Sequence, residues 1–251
     1  MPQNLPFQKA LVTGATAGIG RATVEQLSAA GLAVIACGRR QDRLAEMEKS
    51  LGVQTLAFDL SNRSECERVF LEHKATLEGV DVLVNNAGLA RGLDAFQDGK
   101  FDDWDEMIDT NVKGLLYVTR AVLPGMIARD RGHIVNLGSV AGRWAYPKGG
   151  VYCASKFAVR ALSESLRMDL IGTKIRVTNI EPGMVETEFS LARLGDPERA
   201  KSVYKGMTPL TAGDIAETIL WSLSRPARVN IQELVIFPTD QASMQSVHRR
   251  T

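Results

Sequence analysis

A tyrosine and a lysine four residues apart, Tyr152 and Lys156, have the types and the spacing for proton transfer. Residues at this spacing lie on one face of an α-helix, about one turn apart. An ammonium group beside a phenol stabilises the phenolate and lowers the pKa of a tyrosine from its ordinary value of about 10. A phenol tuned in this way can exchange protons with an alcohol or a ketone near neutral pH. Ser139, upstream of the pair, adds a hydroxyl that could polarise the same oxygen.

A glycine-rich segment, residues 13–20, follows a short apolar run and precedes a helical pattern. Gly14, Gly18 and Gly20 form the pattern G-x-x-x-G-x-G. Such glycines permit a tight turn, let the backbone approach a pyrophosphate and allow the helix to pack closely on the sheet. The helix N-terminus offers N–H groups and its positive dipole end to phosphates. This position at the start of the first β–α unit predicts a dinucleotide site.

The end of the second predicted strand indicates which dinucleotide is bound. An acidic residue there accepts hydrogen bonds from a free ribose 2′-hydroxyl, whereas a basic residue accommodates a 2′-phosphate. This chain has Arg39 and Arg40 at that point and no acidic residue before Asp42. The planar guanidinium group suits phosphate. We therefore expect NADP(H) as the cofactor, although one of the two arginines could simply be a solvated residue at the start of a helix.

Composition and charge restrict the class of protein. The chain has 251 residues, of which 45% are hydrophobic, and a formal net charge of +1. This charge gives no indication of nucleic-acid binding, and no apolar run reaches the length of a membrane span. The cysteines and histidines do not have zinc-binding spacing, so no metal is expected. Three cysteines without a C-x-x-C pattern, and a start (residues 1–9) that is too short and polar for a signal peptide, favour the cytoplasm.

Short apolar runs alternate with longer helical patterns along the whole chain. This alternation predicts an α/β class with a doubly wound parallel sheet in a single domain, residues 1–251. Pro124 is expected to bend or end the long helix that contains it. The predicted strands are 10–13, 33–36, 53–58, 80–84, 132–137, 174–180 and 234–237, and the predicted helices are 19–30, 41–50, 62–75, 104–128, 151–170 and 215–223.

The polar segment after the sixth predicted strand, residues 186–209, interrupts this alternation. Ligands of open α/β sheets bind beyond the carboxyl ends of the strands. An insertion at this place in the chain is therefore expected to cover the ligand as a small lid. The alternative is a solvated loop with a short helix.

These motifs together resemble the short-chain dehydrogenase/reductase family, from the first strand to the last. The family resemblance implies a Rossmann-type domain with about seven strands and an NADP(H)-dependent oxidoreductase that acts on CH–OH or C=O groups. The residues that carry it are Thr13, Gly14, Gly18, Ile19, Gly20, Asp59, the Asn85–Gly88 turn, Asn111, Ser139, Tyr152, Lys156, Pro182, Gly183 and Thr187.

The resemblance also implies residue roles. Tyr152 is the general acid or base, Ser139 polarises the substrate oxygen, Lys156 lowers the tyrosine pKa and binds the nicotinamide ribose, and Asn111 holds a water that links Lys156 to solvent. Asn111 has a structural alternative, which is to satisfy buried backbone groups. The cofactor-binding residues are expected to be Thr13, Gly14, Thr16, Gly18, Ile19, Gly20, Arg39, Arg40, Asp59, Leu60, Asn86, Ala87, Gly88, Tyr152, Lys156, Pro182, Gly183, Val185 and Thr187.

Segments such as 37–44, 107–111 and 120–126 are similar to the branch of NADP-dependent 3-hydroxy acid dehydrogenases, which oxidise serine and allo-threonine, and to a neighbouring group that reduces sulfoacetaldehyde. That similarity implies a small anionic substrate and a homotetramer whose C-terminal tail, about residues 239–251, lies at a subunit interface. An anionic substrate needs a cation in the pocket. The candidate substrate residues are Ser139, Arg143, Tyr146, Met184, Arg193 and Arg249, with Arg91, Trp144, Phe189 and Arg250 as further candidates.

Three functional hypotheses remain open at this point. The first is an enzyme acting on a small 3-hydroxy acid, such as serine or 3-hydroxypropionate, or on sulfoacetaldehyde. The second is the same chemistry on a bulkier ketone, such as a 3-oxoacyl thioester. The third is a non-catalytic NADP(H)-binding regulator, which the presence of Ser139, Tyr152 and Lys156 disfavours.

Overall fold

The structure is a computed structural model that describes residues 5–250. Residues 1–4 of the polar start and residue 251 of the tail lie outside the described range. Seven strands form a single sheet in the spatial order 3-2-1-4-5-6-7, with all neighbours parallel. The predicted single α/β domain of the Rossmann type is confirmed. The strands are β1 (Lys9–Val12), β2 (Ala33–Gly38), β3 (Gln54–Ala57), β4 (Val82–Asn85), β5 (Gly132–Leu137), β6 (Ile175–Pro182) and β7 (Glu233–Ile236).

The helices cover both faces of the sheet. They are α1 (Gly18–Ala29), α2 (Gln41–Leu51), α3 (Arg63–Glu72), α4 (Lys74–Glu78), α5 (Phe101–Ile108), α6 (Leu115–Ala128), α7 (Gly150–Asp169), α8 (Phe189–Leu194), α9 (Pro197–Ser202) and α10 (Ala212–Leu223). On β1 the side chains alternate in the way that a two-residue period requires. Val12 packs with α1, α2 and α10 in one core, and Leu11 packs with α3, α4 and α6 in the other.

The strand order reverses between β1 and β4, which are direct neighbours in the middle of the sheet. All carboxyl ends lie at one edge because every pair is parallel. A ligand crevice is expected beyond that edge, at the point of reversal. The chemistry-bearing residues that follow β1, β2, β4, β5 and β6 are therefore brought to one place.

Three helices differ from their predicted extents. The helix predicted over 62–75 is divided at His73 into α3 and α4. The long helix begins at Phe101, contains a π-helical turn over Asp109–Gly114, and continues through Pro124 to Ala128. The last helix starts at Ala212 because Thr211 and Asp214 form a reciprocal capping box there.

The segment 186–209, here called the lid segment, contains the two short helices α8 and α9. It contacts the loop after β4 through paired hydrogen bonds: Gly92 N–H donates to the Arg193 carbonyl at 3.1 Å, and Arg193 Nε donates to the Gly92 carbonyl at 3.0 Å. Arg91 adds a hydrogen bond to the Ala192 carbonyl. These contacts hold α8 across the carboxyl edge of the sheet.

The C-terminal tail packs on the lid segment of its own chain. Arg249 donates hydrogen bonds to the carbonyls of Val203 and Lys205. Arg250 forms an ion pair with Asp240 at 2.7 Å. Within residues 5–250, no helix combines the length and the apolar character that crossing a membrane requires.

Candidate active site

A cavity of about 860 Å³ opens at the carboxyl edge of the sheet. This volume is within the range of small-molecule and cofactor sites. Its walls come from the loops after β1, β2, β3, β4, β5 and β6, from the lid segment, and from the tail residues Gln241, Met244 and Gln245. All of the residues predicted to bind the cofactor line this cavity except Thr13 and Gly20.

At one end of the cavity, Ser139, Tyr152 and Lys156 lie together. Tyr152 and Lys156 come from the first turns of α7, and Ser139 comes from the loop that follows β5. The Lys156 ammonium lies 5.9 Å from the centre of the Tyr152 ring and donates to the Leu137 carbonyl at 2.8 Å. The backbone of α7 and β5 therefore sets the distance between the phenol and the ammonium.

Burial dominates the electrostatics of this pair. It raises the pKa of Tyr152 above its ordinary value, whereas an interaction with the Ser139 hydroxyl and the charge of Arg193 act in the opposite direction. Burial also lowers the pKa of Lys156 to about 8. The Ser139 hydroxyl and the charge of Arg193 thus lower the pKa of Tyr152, and the lowering by Lys156 that the helical spacing indicates stays a prediction.

The side chain of Asn111 is occupied by protein groups. It lies in the π-helical turn, accepts a hydrogen bond from Leu89 N–H at 2.8 Å and donates to the Leu89 carbonyl at 2.8 Å. Its amide also donates to the Ser155 hydroxyl at 3.0 Å. These bonds fix the loop after β4 against α7, in line with the structural alternative, and the water-holding role stays a prediction.

Asn86 fixes the backbone conformation of the glycine-rich loop through hydrogen bonds. The Asn86 amide donates to the carbonyls of Thr13 and Gly14 at 2.9 and 3.2 Å. Gly14 has a φ of 63°, and a Cβ there would lie 2.8 Å from Ala87 Cα. At Gly20 a Cβ would lie 2.3 Å from the Gly14 carbonyl oxygen. Only glycine fits these two positions, so the backbone is free to cradle a pyrophosphate.

The start of α1 is also suited to an anion. Ala17 is its N-cap residue, no side chain caps the helix, and its first turn contains no acidic residue. The first N–H groups of a helix have no partner within the helix and attract negative charge. The loop and the helix start therefore fit the phosphates of a dinucleotide.

The two arginines after β2, Arg39 and Arg40, also line the cavity. Arg39 approaches Asp59 at 3.4 Å. Arg40 donates through Nε to the Thr16 hydroxyl at 3.0 Å and through Nη1 to Glu188 at 2.7 Å. Arg39 and Arg40 form a basic part of the cavity wall, here called the basic corner. Asp59 and Leu60, which are expected to bind the adenosine moiety, line the cavity as well.

The end of β6 and the turn after it line the cavity with Pro182, Gly183, Val185 and Thr187. Its conformation depends on the tail. Gln241 Oε1 accepts a hydrogen bond from Met184 N–H at 2.9 Å, and a Cβ at Gly183 would lie 2.5 Å from that oxygen. Sequence reasoning missed Gln241, because no local pattern indicates that the tail returns to this turn.

The candidate substrate arginines occupy very different places. Arg143 forms ion pairs with the buried Glu181 and with Glu233 and does not line the cavity, which corrects its assignment as a pocket cation. Arg91, Arg249 and Arg250 are held by Glu106, by backbone carbonyls and by Asp240, also outside the cavity. Because carboxylates or carbonyls of the protein already bind these guanidinium groups, their charges stabilise the fold.

Arg193 is the candidate that lines the cavity. Its guanidinium carbon lies 5.6 Å from the centre of the Tyr152 ring and 5.5 Å from that of Tyr146. Nη1 donates to the Tyr146 hydroxyl at 2.7 Å. Among the described residues it has no carboxylate partner. Met184 and Phe189 line the cavity as well, whereas Trp144 is half exposed against Phe237 and does not.

Two residues at the basic corner were not predicted. Arg43 donates to the Thr16 carbonyl at 3.2 Å and to Glu188 at 2.7 Å. Arg43 lies three residues after Arg40, so the helical spacing was a usable signal. Glu188 had no such signal, because it reaches this corner only through the fold of the lid segment.

The lowered pKa of Lys156 predicts a specific pH dependence of stability. Between about pH 8 and the unfolded value of 10.5, the unfolded chain holds this proton and the folded chain does not. The stability contribution of Lys156 therefore rises with pH in this window, and the cost of burying the charge is complete below it. We expect the unfolding free energy of the wild type, relative to Lys156→Met, to rise by about 2–3 kcal/mol from pH 7 to pH 10.

Denaturant unfolding of both cofactor-free proteins at a series of pH values measures this difference. Other titrating groups are shared by the two proteins and cancel. Tyr152 has a raised pKa and affects stability only above pH 10. A difference between the proteins that does not vary with pH would contradict the assignment.

Comparisons with known proteins agree with this geometry. A profile described as short chain dehydrogenase matches residues 8–196. The NADP-dependent 3-hydroxy acid dehydrogenase YdfG of Salmonella typhi is 49% identical over 244 residues, which are 95% of this chain and 98% of that protein. Sulfoacetaldehyde reductase 2 of Chromohalobacter salexigens is 46% identical over 238 residues, which are 92% of this chain and 94% of that protein.

A solved structure described as the closed form of serine dehydrogenase complexed with NADP+ has a TM-score of 0.91 and 46% identity, covering 97% of this chain and 100% of that one. Serine dehydrogenase from Escherichia coli has a TM-score of 0.82 and 43% identity, covering 94% and 100%. The chain belongs to the short-chain dehydrogenase/reductase family. It is an oxidoreductase of that family, as the resemblance of its motifs implies.

Proposed function

We propose that this protein is an NADP(H)-dependent oxidoreductase that interconverts a small anionic hydroxy compound, a 3-hydroxy acid such as serine or 3-hydroxypropionate, and its oxo form. The observation that carries the proposal is the position of Arg193, a guanidinium group without a carboxylate partner among the described residues, beside the ring of Tyr152. An anionic head bound there places the adjoining carbon atoms next to the phenol.

The side chains at this end supply acid–base chemistry. When bound, the nicotinamide ring supplies a hydride to the carbonyl carbon in reduction or accepts one from the alcohol carbon in oxidation. Tyr152 donates its proton to the carbonyl oxygen in reduction and takes the hydroxyl proton in oxidation. The Ser139 hydroxyl donates a hydrogen bond to the same oxygen and stabilises its developing negative charge.

Lys156 has two tasks in this proposal. Its ammonium group, held by the Leu137 carbonyl, binds the hydroxyl groups of the nicotinamide ribose. Its positive charge also favours the phenolate form of Tyr152. The pKa of about 8 keeps the amine mainly protonated at neutral pH while it remains able to pass a proton on.

The basic corner supports NADP(H) over NAD(H). Arg39 and Arg40 line the cavity where β2 ends, and Arg43 lies beside them. A 2′-phosphate can accept charge-assisted hydrogen bonds from such guanidinium groups. The relatives named as NADP-dependent, and the similar serine dehydrogenase structure complexed with NADP+, support the same assignment.

The anion subsite proposed here consists of Arg193 and Tyr146. The guanidinium already donates one hydrogen bond to the Tyr146 hydroxyl, and this bond orients the group within the cavity. Carboxylate and sulfonate oxygens both accept bonds from a guanidinium fork. Sulfoacetaldehyde, reduced to isethionate, is therefore the second candidate substrate, and the similarity to a sulfoacetaldehyde reductase favours its inclusion.

A substrate panel with the purified protein tests the proposal. Serine, allo-threonine and 3-hydroxypropionate are supplied with NADP+ or NAD+, and malonate semialdehyde, sulfoacetaldehyde and an acetoacetyl thioester with NADPH or NADH, at roughly millimolar concentration. The change in reduced nicotinamide absorbance gives the rate. We expect turnover of the small anionic compounds with a preference for the phosphorylated cofactor. Turnover of the thioester alone, or of no compound at all, would favour the bulky-ketone or the regulator hypothesis.

We further propose a cytoplasmic homotetramer. Cys37, Cys66 and Cys153 are free and buried, which is compatible with a reducing compartment. The tail beyond residue 239 packs on the lid segment of its own chain. We therefore propose that the outer side of the tail contacts the neighbouring subunit. Sedimentation analysis of the protein with and without residues 247–251 measures the oligomeric state.

A further inference from the structure

The basic corner of the cavity contains an ion-pair network that joins two distant parts of the chain. Glu188 is the N-cap residue of α8 in the lid segment. Its two carboxylate oxygens are bound separately, one by Arg40 at 2.7 Å and one by Arg43 at 2.7 Å. Arg40 is 148 residues away in sequence, so the contact forms only when the lid segment lies against α2.

The geometry of this network resembles the recognition of a phosphate group. Two guanidinium groups converge on the oxygens of a single anion, and both also bond to Thr16 of the glycine-rich loop. Arginine groups bind carboxylate and phosphate oxygens through the same charge-assisted hydrogen bonds. Thr16, Arg40 and Glu188 all line the cavity where β2 ends, which is the place expected for a ribose 2′-substituent.

We propose that Glu188 competes with the 2′-phosphate of the cofactor for Arg40 and Arg43, and must release these arginines when the phosphorylated cofactor binds. This inference rests on the proposed specificity for NADP(H). A 2′-phosphate brought to the same arginines meets the Glu188 carboxylate at close range, and the two negative charges repel each other. Glu188 is therefore a determinant of cofactor affinity and tethers the lid segment to the nucleotide-binding half.

The exposure of the network makes such an exchange feasible. The side chains of Arg40, Arg43 and Glu188 are 40%, 35% and 48% exposed. Ion pairs at this level of exposure contribute little, because solvent screens the charges and holding long side chains costs entropy. The ion pairs hold the pKa of the Glu188 carboxyl below its ordinary value, so the carboxylate remains charged at neutral pH.

The test compares two nucleotides that differ only in the 2′-phosphate. Adenosine 2′,5′-bisphosphate and AMP are titrated into the wild type and Glu188→Gln by calorimetry at one low ionic strength. We expect Glu188→Gln to bind the bisphosphate about threefold to tenfold more tightly than the wild type does, as the loss of two exposed ion pairs implies. The affinity for AMP should change less than twofold.

Glu186→Gln is the matched control. Glu186 is an exposed carboxylate of the same lid segment, two residues earlier, and it forms no ion pair with Arg40 or Arg43. The Glu186→Gln variant measures the effect of removing one negative charge near the site. We expect it to leave the affinities for both nucleotides nearly unchanged.

The following results would overturn the inference. Weaker binding of the bisphosphate by Glu188→Gln would mean that the carboxylate positions the arginines for the phosphate. An equal gain for AMP, or an equal gain in Glu186→Gln, would indicate a general electrostatic effect. If the wild type prefers the bisphosphate and Glu188→Gln gains nothing, only this inference fails. If neither protein distinguishes the two nucleotides, the proposed cofactor specificity fails as well.

Discussion

Replacing Tyr152 by phenylalanine is expected to lower kcat by about 10²- to 10⁴-fold while the protein still folds and binds NADPH. The substitution removes only the hydroxyl group, which transfers the proton in the proposed reaction, and general acid–base groups contribute about this much. The ring remains packed against Phe189 at a centroid distance of 5.6 Å. Steady-state rates measure the loss of turnover, and a fluorescence titration with NADPH measures binding.

Tyr117→Phe is the matched control for this variant. Tyr117 lies on α6, is partly buried against the core that α3, α4 and α6 form with the sheet, and does not line the cavity. The same chemical change there should leave kcat within about twofold of the wild type. Turnover of Tyr152→Phe close to that of the wild type would show that another group moves the proton.

Replacing Arg193 by methionine is expected to raise the KM for a 3-hydroxy acid by about 30- to 1,000-fold. The estimate follows from losing a charge-assisted contact worth about 2–4 kcal/mol in a desolvated site. The KM for the methyl ester of the same acid, which lacks the charge, should change by less than a few fold. Kinetic constants for the acid and the ester, measured side by side, give the change in KM for the acid relative to the change in KM for the ester.

The ester also separates substrate binding from a general effect on the site. The charge of Arg193 lowers the pKa of Tyr152, so its removal raises the pKa of that phenol further. Rates with both substrates are therefore expected to fall at a given pH, whereas the KM effect is confined to the acid. Arg199→Met, an exposed arginine of the lid segment outside the cavity, serves as the control. Parallel KM changes for the acid and the ester would show that Arg193 does not bind the anionic head.

The fold and the reactive end of the cavity follow from local patterns. Short apolar runs that alternate with helical patterns predict a parallel sheet, because each strand is buried on both faces and each crossover needs a helix. Glycines at the end of β1 indicate a turn that no side chain could occupy, and the distances at Gly14 and Gly20 show the physical reason. Tyr152 and Lys156 were predictable because a single helix positions both residues.

The extents of several elements were less predictable. The start of α10 depends on the capping box between Thr211 and Asp214, which extends the helix before its first buried residue, Ile215. The π-helical turn that carries Asn111 is stabilised by contacts with Leu89 and Ser155, which belong to other elements. Hydrophobic periodicity contains no information about such contacts.

Local sequence patterns were enough to establish the class of fold, the glycine-rich loop and the phenol–ammonium pair, because each depends on residues that are neighbours in the chain. Which of the candidate substrate arginines lines the cavity depends on the tertiary structure. Arg143 is neutralised by Glu181 and Glu233, which are 38 and 90 residues away, whereas Arg193 is held over Tyr152 by the loop after β4. The pKa of Lys156 and the contact between Glu188 and Arg40 were decided in the same way, since burial and long-range ion pairs exist only after the distant segments have packed together.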